Sequence, residues 1–567
     1  MDDKKYTKMS GGQAVVESLR VENTKHIFGL IGSSAIEIFD SLYDSSDINY
    51  IGVRDERTGT HMADGYARAS GMPGIILAGQ NGPGATNLVT GLAQAAAAFS
   101  PVISIAGSVS TNHVYRDSFQ EVDQQTLFQP ITKKTWTVTQ AERIPEMFRE
   151  AFRTALEPRQ GPVHLNLPRD ILSSYENFPS FQIPKNYRCQ NFPAGDSGVI
   201  KKASDLLKEA AKPVIVAGGG IKNTGRYEKV LELAKIINAP IVTSPGHGDA
   251  IPFDSSLNAG QMGPRGNPVA SRLVKEADII LALGTRLGFN STFYSYENIN
   301  KNAKIIQVEI EPSSIGRYFP IEIGIWADAA TVANQLCSAL TNLSDRSKVE
   351  PWTLRFINER KTYLQKRDSE TDTSKHPIQP SDLFKELRKV LPKNSAITLD
   401  AGTLCLQATD ALDYYKPGSL FTPLDFGLIG FSFACGLGVK VAQPDRPVIS
   451  LMGDGGFGMT ISELSTAVSY GINTVTIVMN NQSWGAEKAY QRDYFEKRYI
   501  GTDISNPPFH KVAELYGAKG FKVERISEVG ESVVAALKCD KPAVVEIAID
   551  PEALHSFRRD SFKYKQK

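Results

Sequence analysis

Chemistry concentrates at residues 448–484, VISLMGDGGFGMTISELSTAVSYGINTVTIVMNNQSW. Asp454 stands among Gly453, Gly455 and Gly456 at the end of the apolar run 448–452. Asn480 and Asn481 close a second apolar run at 474–479. Short apolar runs bounded by turn residues suit buried parallel strands, and Ile461, Leu464, Ala467 and Val468 between them recur at helical spacing. Gly471 stops that helix. One βαβ unit therefore carries a carboxylate and a carboxamide at neighbouring strand ends, where open α/β sheets bind ligands. Gly453, Gly455 and Gly458 also spell G-x-G-x-x-G, the dinucleotide fingerprint, but two features oppose that reading. The second strand ends in Asn480-Asn481 where a ribose-binding acid is needed, and Asp454 inside the turn would repel a pyrophosphate. A divalent cation removes the conflict. Asp454 and Asn481 offer oxygen ligands and a diphosphate offers more, a mixed donor set that suits Mg2+.

The N-terminal third carries further candidates. The strand 26–31 runs into Gly32-Ser33-Ser34, whose N–H groups and hydroxyls suit a site wall or an ordinary βα loop. Ser10 is a plausible cap for a helix over 10–19. After the strand 49–53, Glu56 begins a helix, where a carboxylate complements the helix dipole. Arg54 and Arg57 are placed to pair with it, so a salt-bridge role is open as well. His61 reads as a packed helix residue. The strand 74–78 ends in Gln80-Asn81-Gly82-Pro83-Gly84, before an Ala-rich helix over 85–99 and a buried strand at 101–106. FQEVDQQTLFQPITKKTW follows at 119–136, and GPVHLNLP closes the region at 161–168. Strands alternating with helices predict a doubly wound parallel sheet.

GDG…NN, the strand-Glu-helix step, the GPG turn, FQE-D and GPVHLNLP together resemble the thiamine diphosphate enzymes of the acetolactate synthase and pyruvate oxidase superfamily. The resemblance covers nearly the whole chain. It implies that Asp454 and the Asn481 side chain bind Mg2+, with the Ser483 carbonyl as third protein ligand. Glu56 becomes the glutamate that hydrogen-bonds N1' of the aminopyrimidine, where a shared proton favours the imino tautomer. Many relatives have His before this Glu, and here it is Asp55. Gln120 matches a glutamine at the reacting centre, and Ile429 the bulky aliphatic that props the bent cofactor. Gly32, Ser33, Gly82 and Gly84 are implied cofactor-binding positions of the first domain. Asp400, Gly402, Thr403, Gly453, Gly455, Gly456 and Trp484 are those of the last.

Five shorter islands, IGS at 31–33, QNGPG at 80–84, FQEVDQ at 119–124, WGAEK at 484–488 and FRRD at 557–560, are similar to the sulfoacetaldehyde acetyltransferase branch. That similarity implies conversion of sulfoacetaldehyde and phosphate to acetyl phosphate and sulfite. Phosphate recognition favours Arg with its planar donor fork. Ser34, Gln120, Lys488, Arg558 and Arg559 are the candidates for substrate or phosphate, and adjacent Arg558 and Arg559 do not both face one site on a helix. Alternatives are an acetolactate synthase or other 2-oxo acid decarboxylase or carboligase, and a non-catalytic cofactor-binding homologue. Intact Glu56, Asp454 and Asn481 argue against the last.

The elements that must position these residues form three α/β units. The expected division is a pyrimidine-binding domain at 1–185, a Rossmann-like central domain at 196–345 and a diphosphate-binding domain at 376–567. Residues 171–196 and 366–380 read as linkers. Central strands are expected at 213–217, before Gly218-Gly219-Gly220, at 240–243, at 277–283, before Gly284-Thr285-Arg286, and at 304–309. No full dinucleotide fingerprint follows them, so FAD is not expected. A last-domain strand at 396–399 ends in Asp400-Ala401-Gly402-Thr403, and the small apolar residues of 425–438 suit a closely packed helix.

With 567 residues the chain exceeds one core. Lys and Arg total 63 against 62 Asp and Glu, which gives no hint of nucleic-acid or membrane partners. Five cysteines without CxxC spacing fit a reduced cytoplasm, each as a small core residue. The N-terminal run has no apolar core of a signal peptide, and no stretch reaches membrane-spanning length. A cytoplasmic enzyme of small-molecule substrates is expected. In the resembled superfamily the two domains facing one cofactor come from different subunits, which implies a homodimer or homotetramer with sites at the subunit interface.

Overall fold

A computed structural model describes residues 6–369 and 376–565, without the side chains of Cys405, Arg559 and Lys563. Three six-stranded sheets, each parallel throughout, follow one another along the chain. The first runs Asn49–Gly52, His26–Leu30, Gly74–Ala78, Val102–Ser108, Val163–Pro168, Lys134–Thr137 in spatial order. The second runs Asn258–Gln261, Ile241–Thr243, Pro213–Ala217, Ile279–Leu283, Lys304–Glu309, Ile323–Trp326. The third runs Leu420–Phe421, Ala396–Leu399, Val448–Gly453, Val475–Asn480, Ala543–Ala548, Lys519–Val523. Gly74–Ala78, Val102–Ser108 and Val163–Pro168 are buried along their whole length. That is what helices on both faces of a parallel sheet require, and it explains the unbroken apolar runs.

Three expectations need correction. Residues 171–196 are not a bare linker, because Tyr175–Phe178 pairs antiparallel with Thr7–Ser10 and ties the N-terminal segment down. The central sheet has two strands that the hydropathy pattern hides: Asn258–Gln261 is the small, polar run NAGQ, and Ile323–Trp326 is a partly exposed edge. Cys337 and Cys435 are buried, but Cys189 is exposed and Cys539 half-buried, so not every cysteine is a core residue. Ser10 does cap its helix, in a full capping box with Gln13.

The first and last domains lock together through two crossing helices, Glu56–Ser70 and Ser432–Ala442. Glycines set the spacing. A Cβ on Gly65 would lie 2.2 Å from the Cys435 carbonyl oxygen, and one on Gly438 would lie 1.9 Å from that of Met62. Around the crossing, the Arg54 amide donates to the buried Glu463 carboxylate at 3.0 Å and the Gly52 amide to the Tyr470 hydroxyl at 2.8 Å. The central domain joins through Lys222, whose buried ammonium lies 3.0 Å from Asp249, while Asp249 also accepts the Ser419 and Leu420 amides. No helix among the described residues is long and apolar enough to cross a membrane.

Candidate active site

Ala396–Leu399, Val448–Gly453 and Val475–Asn480 lie side by side, so the segments after them meet. A Cβ on Gly456 would lie 2.1 Å from Asp400 Oδ2, and one on Gly455 2.4 Å from the Trp484 ring. Only glycine lets these chains approach so closely. A Cβ on Gly485 would lie 3.2 Å from Asn481 Nδ2 and 3.7 Å from Thr403 Oγ1, which puts Thr403 and Asn481 in the same cluster. Gly402 faces open space at φ +114°. The Asp400 carboxylate accepts the amides of Gly430 at 2.9 Å and Phe431 at 2.8 Å, and burial pushes its carboxyl up to about 6 against those bonds. It thereby fixes the turn between Gly427 and Gly430, both at positive φ, that presents half-buried Ile429.

Asp454 begins a short helix, Asp454–Gly458, and is buried. Asn506 Nδ2 donates to its Oδ2 at 2.7 Å, and burial pushes the carboxyl up to about 6. Asn481 is buried beside it without a side-chain hydrogen bond among the described residues, and the Ser483 and Thr502 hydroxyls are likewise buried and unpartnered. Gln482, at φ 53°, turns the chain between them. A desolvated carboxylate next to a free carboxamide and a turned backbone is a donor set that fits a hard cation relying on diphosphate oxygens. Among the described residues no group of three His, Cys, Asp or Glu side chains offers an alternative metal site.

The first domain builds the other half. The Asp55 side chain caps the Glu56–Ser70 helix by accepting the Arg57 amide at 2.8 Å, which is its evident task in place of a histidine. Glu56 is buried, with Asn87 Nδ2 donating to Oε2 at 2.9 Å, and a Cβ on Gly84 would lie 3.1 Å from Oε1. Burial raises its carboxyl above the ordinary range, and the Asn87 bond opposes the rise. The salt-bridge alternative is not realised. Arg54 donates to Ser465, while Arg57 lies against Asp55 and the Met459 carbonyl. Ser33 and Ser34 both donate to Gln80 Oε1, at 3.3 and 3.2 Å, and a Cβ on Gly32 would lie 2.5 Å from the Gly79 carbonyl carbon. The Gln120 carbonyl lies 2.5 Å from a Cβ placed on Gly82, and Gln120 itself holds φ 61°. Ile31–Ser34, Gln80–Gly84, Glu56 and Gln120 therefore share one end of the first sheet.

Two candidates for anion binding are engaged otherwise. Lys488 donates to Asp503 at 2.7 Å. Arg558 pairs with Asp560 at 3.1 Å, donates to Ser561 at 2.6 Å and lies 5.0 Å above the Phe289 ring. The Arg559 side chain lies outside the described set. Among the described residues no hydrogen bond or ion pair joins Glu56 to the Asp454 loop. Asn87 and Asn506 escaped the sequence reading. Asn87 was within reach of it, since it lies three residues after Gly84 and so on the same helix face. Asn506 had no local signal.

Three family models match in chain order: the thiamine pyrophosphate (thiamine diphosphate) enzyme N-terminal TPP binding domain at residues 9–127, the central domain at 200–336 and the C-terminal TPP binding domain at 400–547. The chain is 36% identical over 557 residues to a probable acetolactate synthase large subunit of Methanocaldococcus jannaschii, covering 96% of this chain and 93% of that one. It is 33% identical over 587 residues to a sulfoacetaldehyde acetyltransferase of Alcaligenes xylosoxydans xylosoxydans, covering 98% and 95%. To acetolactate synthase isozyme 3 large subunit of Escherichia coli (strain K12) it is 30% identical over 555 residues, covering 96% and 95%. With three consecutive α/β domains and two loop clusters built as described, the chain belongs to the thiamine pyrophosphate enzyme family.

Proposed function

We propose that the chain is a thiamine diphosphate- and Mg2+-dependent acetyltransferase that converts sulfoacetaldehyde and phosphate to acetyl phosphate and sulfite. The observation that carries this reading is the clustering of the sulfoacetaldehyde acetyltransferase-like islands beside the two candidate half-sites. Three of them meet around Gln80 and Gly82 beside Glu56. Phe557 of the fifth packs on Tyr490, two positions past the fourth on the same helix, with ring centroids 5.8 Å apart.

Asp454, the Asn481 side chain and the Ser483 carbonyl would hold Mg2+, and Gly453, Gly455 and Gly456 would let the diphosphate approach the backbone. Glu56 would share a proton with the aminopyrimidine, its carboxyl kept protonatable by burial and oriented by Asn87. Ile429 would support the bent cofactor, and Gln120 would face the reacting atoms. When bound, thiamine diphosphate supplies a nucleophilic carbon and an electron sink; the protein supplies orientation and exclusion of water. Water must be excluded here because it competes with phosphate for the acetyl group. We further assign the domains to 1–185, 196–345 and 376–567, the enzyme to the cytoplasm, and the assembly to a homodimer or homotetramer.

The 36% identity to the Methanocaldococcus jannaschii protein named a probable acetolactate synthase large subunit favours a second reading, carboligation of 2-oxo acids at the same cofactor. One donor panel separates them. Sulfoacetaldehyde with cofactor and Mg2+ should release sulfite and acetyl phosphate together, saturating in phosphate. Acetolactate from pyruvate, with no sulfite from sulfoacetaldehyde, would replace the first reading by the second.

A further inference from the structure

Arg265 is a cation that forms no ion pair among the described residues. It sits in a tight turn after the central strand Asn258–Gln261, between Gly263 at φ +102° and Gly266. Its guanidinium carbon lies 5.5 Å from the centroid of Phe293 and 4.7 Å from that of Phe557, so two rings from different domains clamp it. Nε is buried and has no hydrogen-bond partner, and no ion pair reaches the group among the described residues. The carboxylate whose charge acts on it, Asp560, is already bound to Arg558. Arg558 stacks on Phe289, which stacks in turn on Phe293 at 4.8 Å. Two guanidiniums therefore stand in one half-buried aromatic pocket, and its carboxylate, Asp560, pairs with Arg558. Burial and the neighbouring Arg558 both work against the charge of Arg265. A desolvated cation left in that state is costly unless an anion completes it.

The pocket is tied to the candidate active site. The Tyr490 ring contacts Phe557 and Phe562, and its hydroxyl is buried beside the Arg558 backbone. Tyr490 lies on the Gly485–Tyr494 helix, which leaves the metal loop at Trp484. Tyr490 lies six positions after Trp484, about 9 Å along a helix axis, the scale of a small substrate extending from the cofactor.

We infer that Arg265, next to the Arg558–Asp560 pair, binds the oxoanion group of the substrate, the sulfonate of the donor or the phosphate acceptor. Both are tetrahedral oxoanions, which a guanidinium fork recognises with two parallel N–H donors. The aromatic clamp fixes the plane of the fork, and the central domain thereby contributes to specificity. The inference rests on the acetyl-transfer reading for its choice of anion.

The test uses cofactor-loaded protein with inorganic phosphate and with 2-hydroxyethanesulfonate, an unreactive sulfonate. Calorimetry compares wild type with R265Q and R265K, and mass spectrometry follows phenylglyoxal modification of wild-type Arg265. R265Q should weaken at least one anion tenfold or more, R265K should recover part of the loss, and thiamine diphosphate affinity should stay unchanged. The anion that loses binding should also protect Arg265 from phenylglyoxal, which holds even if R265Q folds poorly. Loss confined to sulfonate assigns the pocket to the donor, and loss confined to phosphate to the acceptor. Wild-type affinity of R265Q for both anions, or wild-type protein without binding or protection, overturns the inference. Absence of sulfite release while an anion still protects Arg265 would remove the acetyl-transfer reading and leave the anion site standing.

Discussion

Acid should loosen the segment that carries Gln120, and His164 is the reason. The imidazole is wholly buried, with Nδ1 3.0 Å from the Ser104 hydroxyl, Nε2 3.0 Å from Gln124 Oε1 and its ring 4.0 Å from that of Phe128. Gln124 Oε1 only accepts, so Nε2 carries the proton and Nδ1 accepts from Ser104. Gln124 Nε2 donates onward to the Gly107 carbonyl at 2.8 Å. This buried chain anchors the Gln124–Phe128 helix, which begins four positions after Gln120. Burial holds the His164 pKa down to about 3, against 6.5 in an open chain. The unfolded chain therefore takes up a proton as pH falls through 6.5, whereas the native state does so only near 3. Stability is present above the upper value and is lost as pH falls towards the lower one. Between about pH 7 and about pH 5 the loss is on the order of 2 kcal/mol. His61, also buried and held down to about 3, adds a similar amount.

The perturbation is His164→Leu, compared with wild type at both pH values. At neutral pH the variant should lose about 1–3 kcal/mol, because Ser104 and Gln124 Oε1 lose their partner. Its acid-induced loss should be smaller than that of wild type by on the order of 2 kcal/mol. Hydrogen exchange on the peptide covering Val163–Pro168, corrected for the intrinsic pH effect, reads both quantities locally, which suits a multidomain chain. An acid-induced loss of protection as large in the variant as in wild type would refute the reasoning.

Three other outcomes are expected. Glu56→Gln should keep cofactor binding and lose activity on the order of 10²–10⁴-fold; an unchanged C2 proton exchange rate of the bound cofactor would reduce Glu56 to a structural residue. Asp454→Ala should abolish Mg2+-dependent binding of thiamine diphosphate while circular dichroism stays native, and wild-type affinity in a titration would refute the metal assignment. Light scattering should find a dimer or larger assembly wherever activity is found, and an active monomer would exclude a site shared between subunits.

The Asp454–Asn481 half-site was legible because its spacing is set by one βαβ unit, whose two strands are neighbours in both sequence and space. Glu56 was legible because a strand end followed by a helix start leaves few places for its carboxylate. What local pattern does not carry stayed hidden. Arg54 and Arg57 looked like partners of Glu56, yet the last domain supplies Ser465 and the Met459 carbonyl, about 400 residues away in sequence, through a tertiary contact that no periodicity encodes. Arg265 had no motif at all. Its meaning comes from two phenylalanines of separate domains and from a carboxylate already taken.

The two half-sites explain each other's exposed surfaces. Glu56 and Asp454 each sit at the end of a sheet, yet the glycine-spaced crossing of Glu56–Ser70 on Ser432–Ala442 fixes how those sheets meet within one chain. Next to the candidate residues stand large apolar side chains that one chain leaves open: Ile31 beside Gly32, Phe119 beside Gln120, Phe426 near Ile429 and Ile500 near Thr502. Phe119 is 85% exposed and Ile500 81% exposed. In the proposed homodimer or homotetramer a second copy of the chain would cover both edges at once. The proposed two-fold arrangement would bring Glu56 of one protomer to the Asp454 loop of another and cover these four side chains in the same step. Phe119→Ser or Ile500→Ser should therefore weaken assembly and activity in parallel. A monomeric Phe119→Ser variant with full activity would separate the exposed surface from the site.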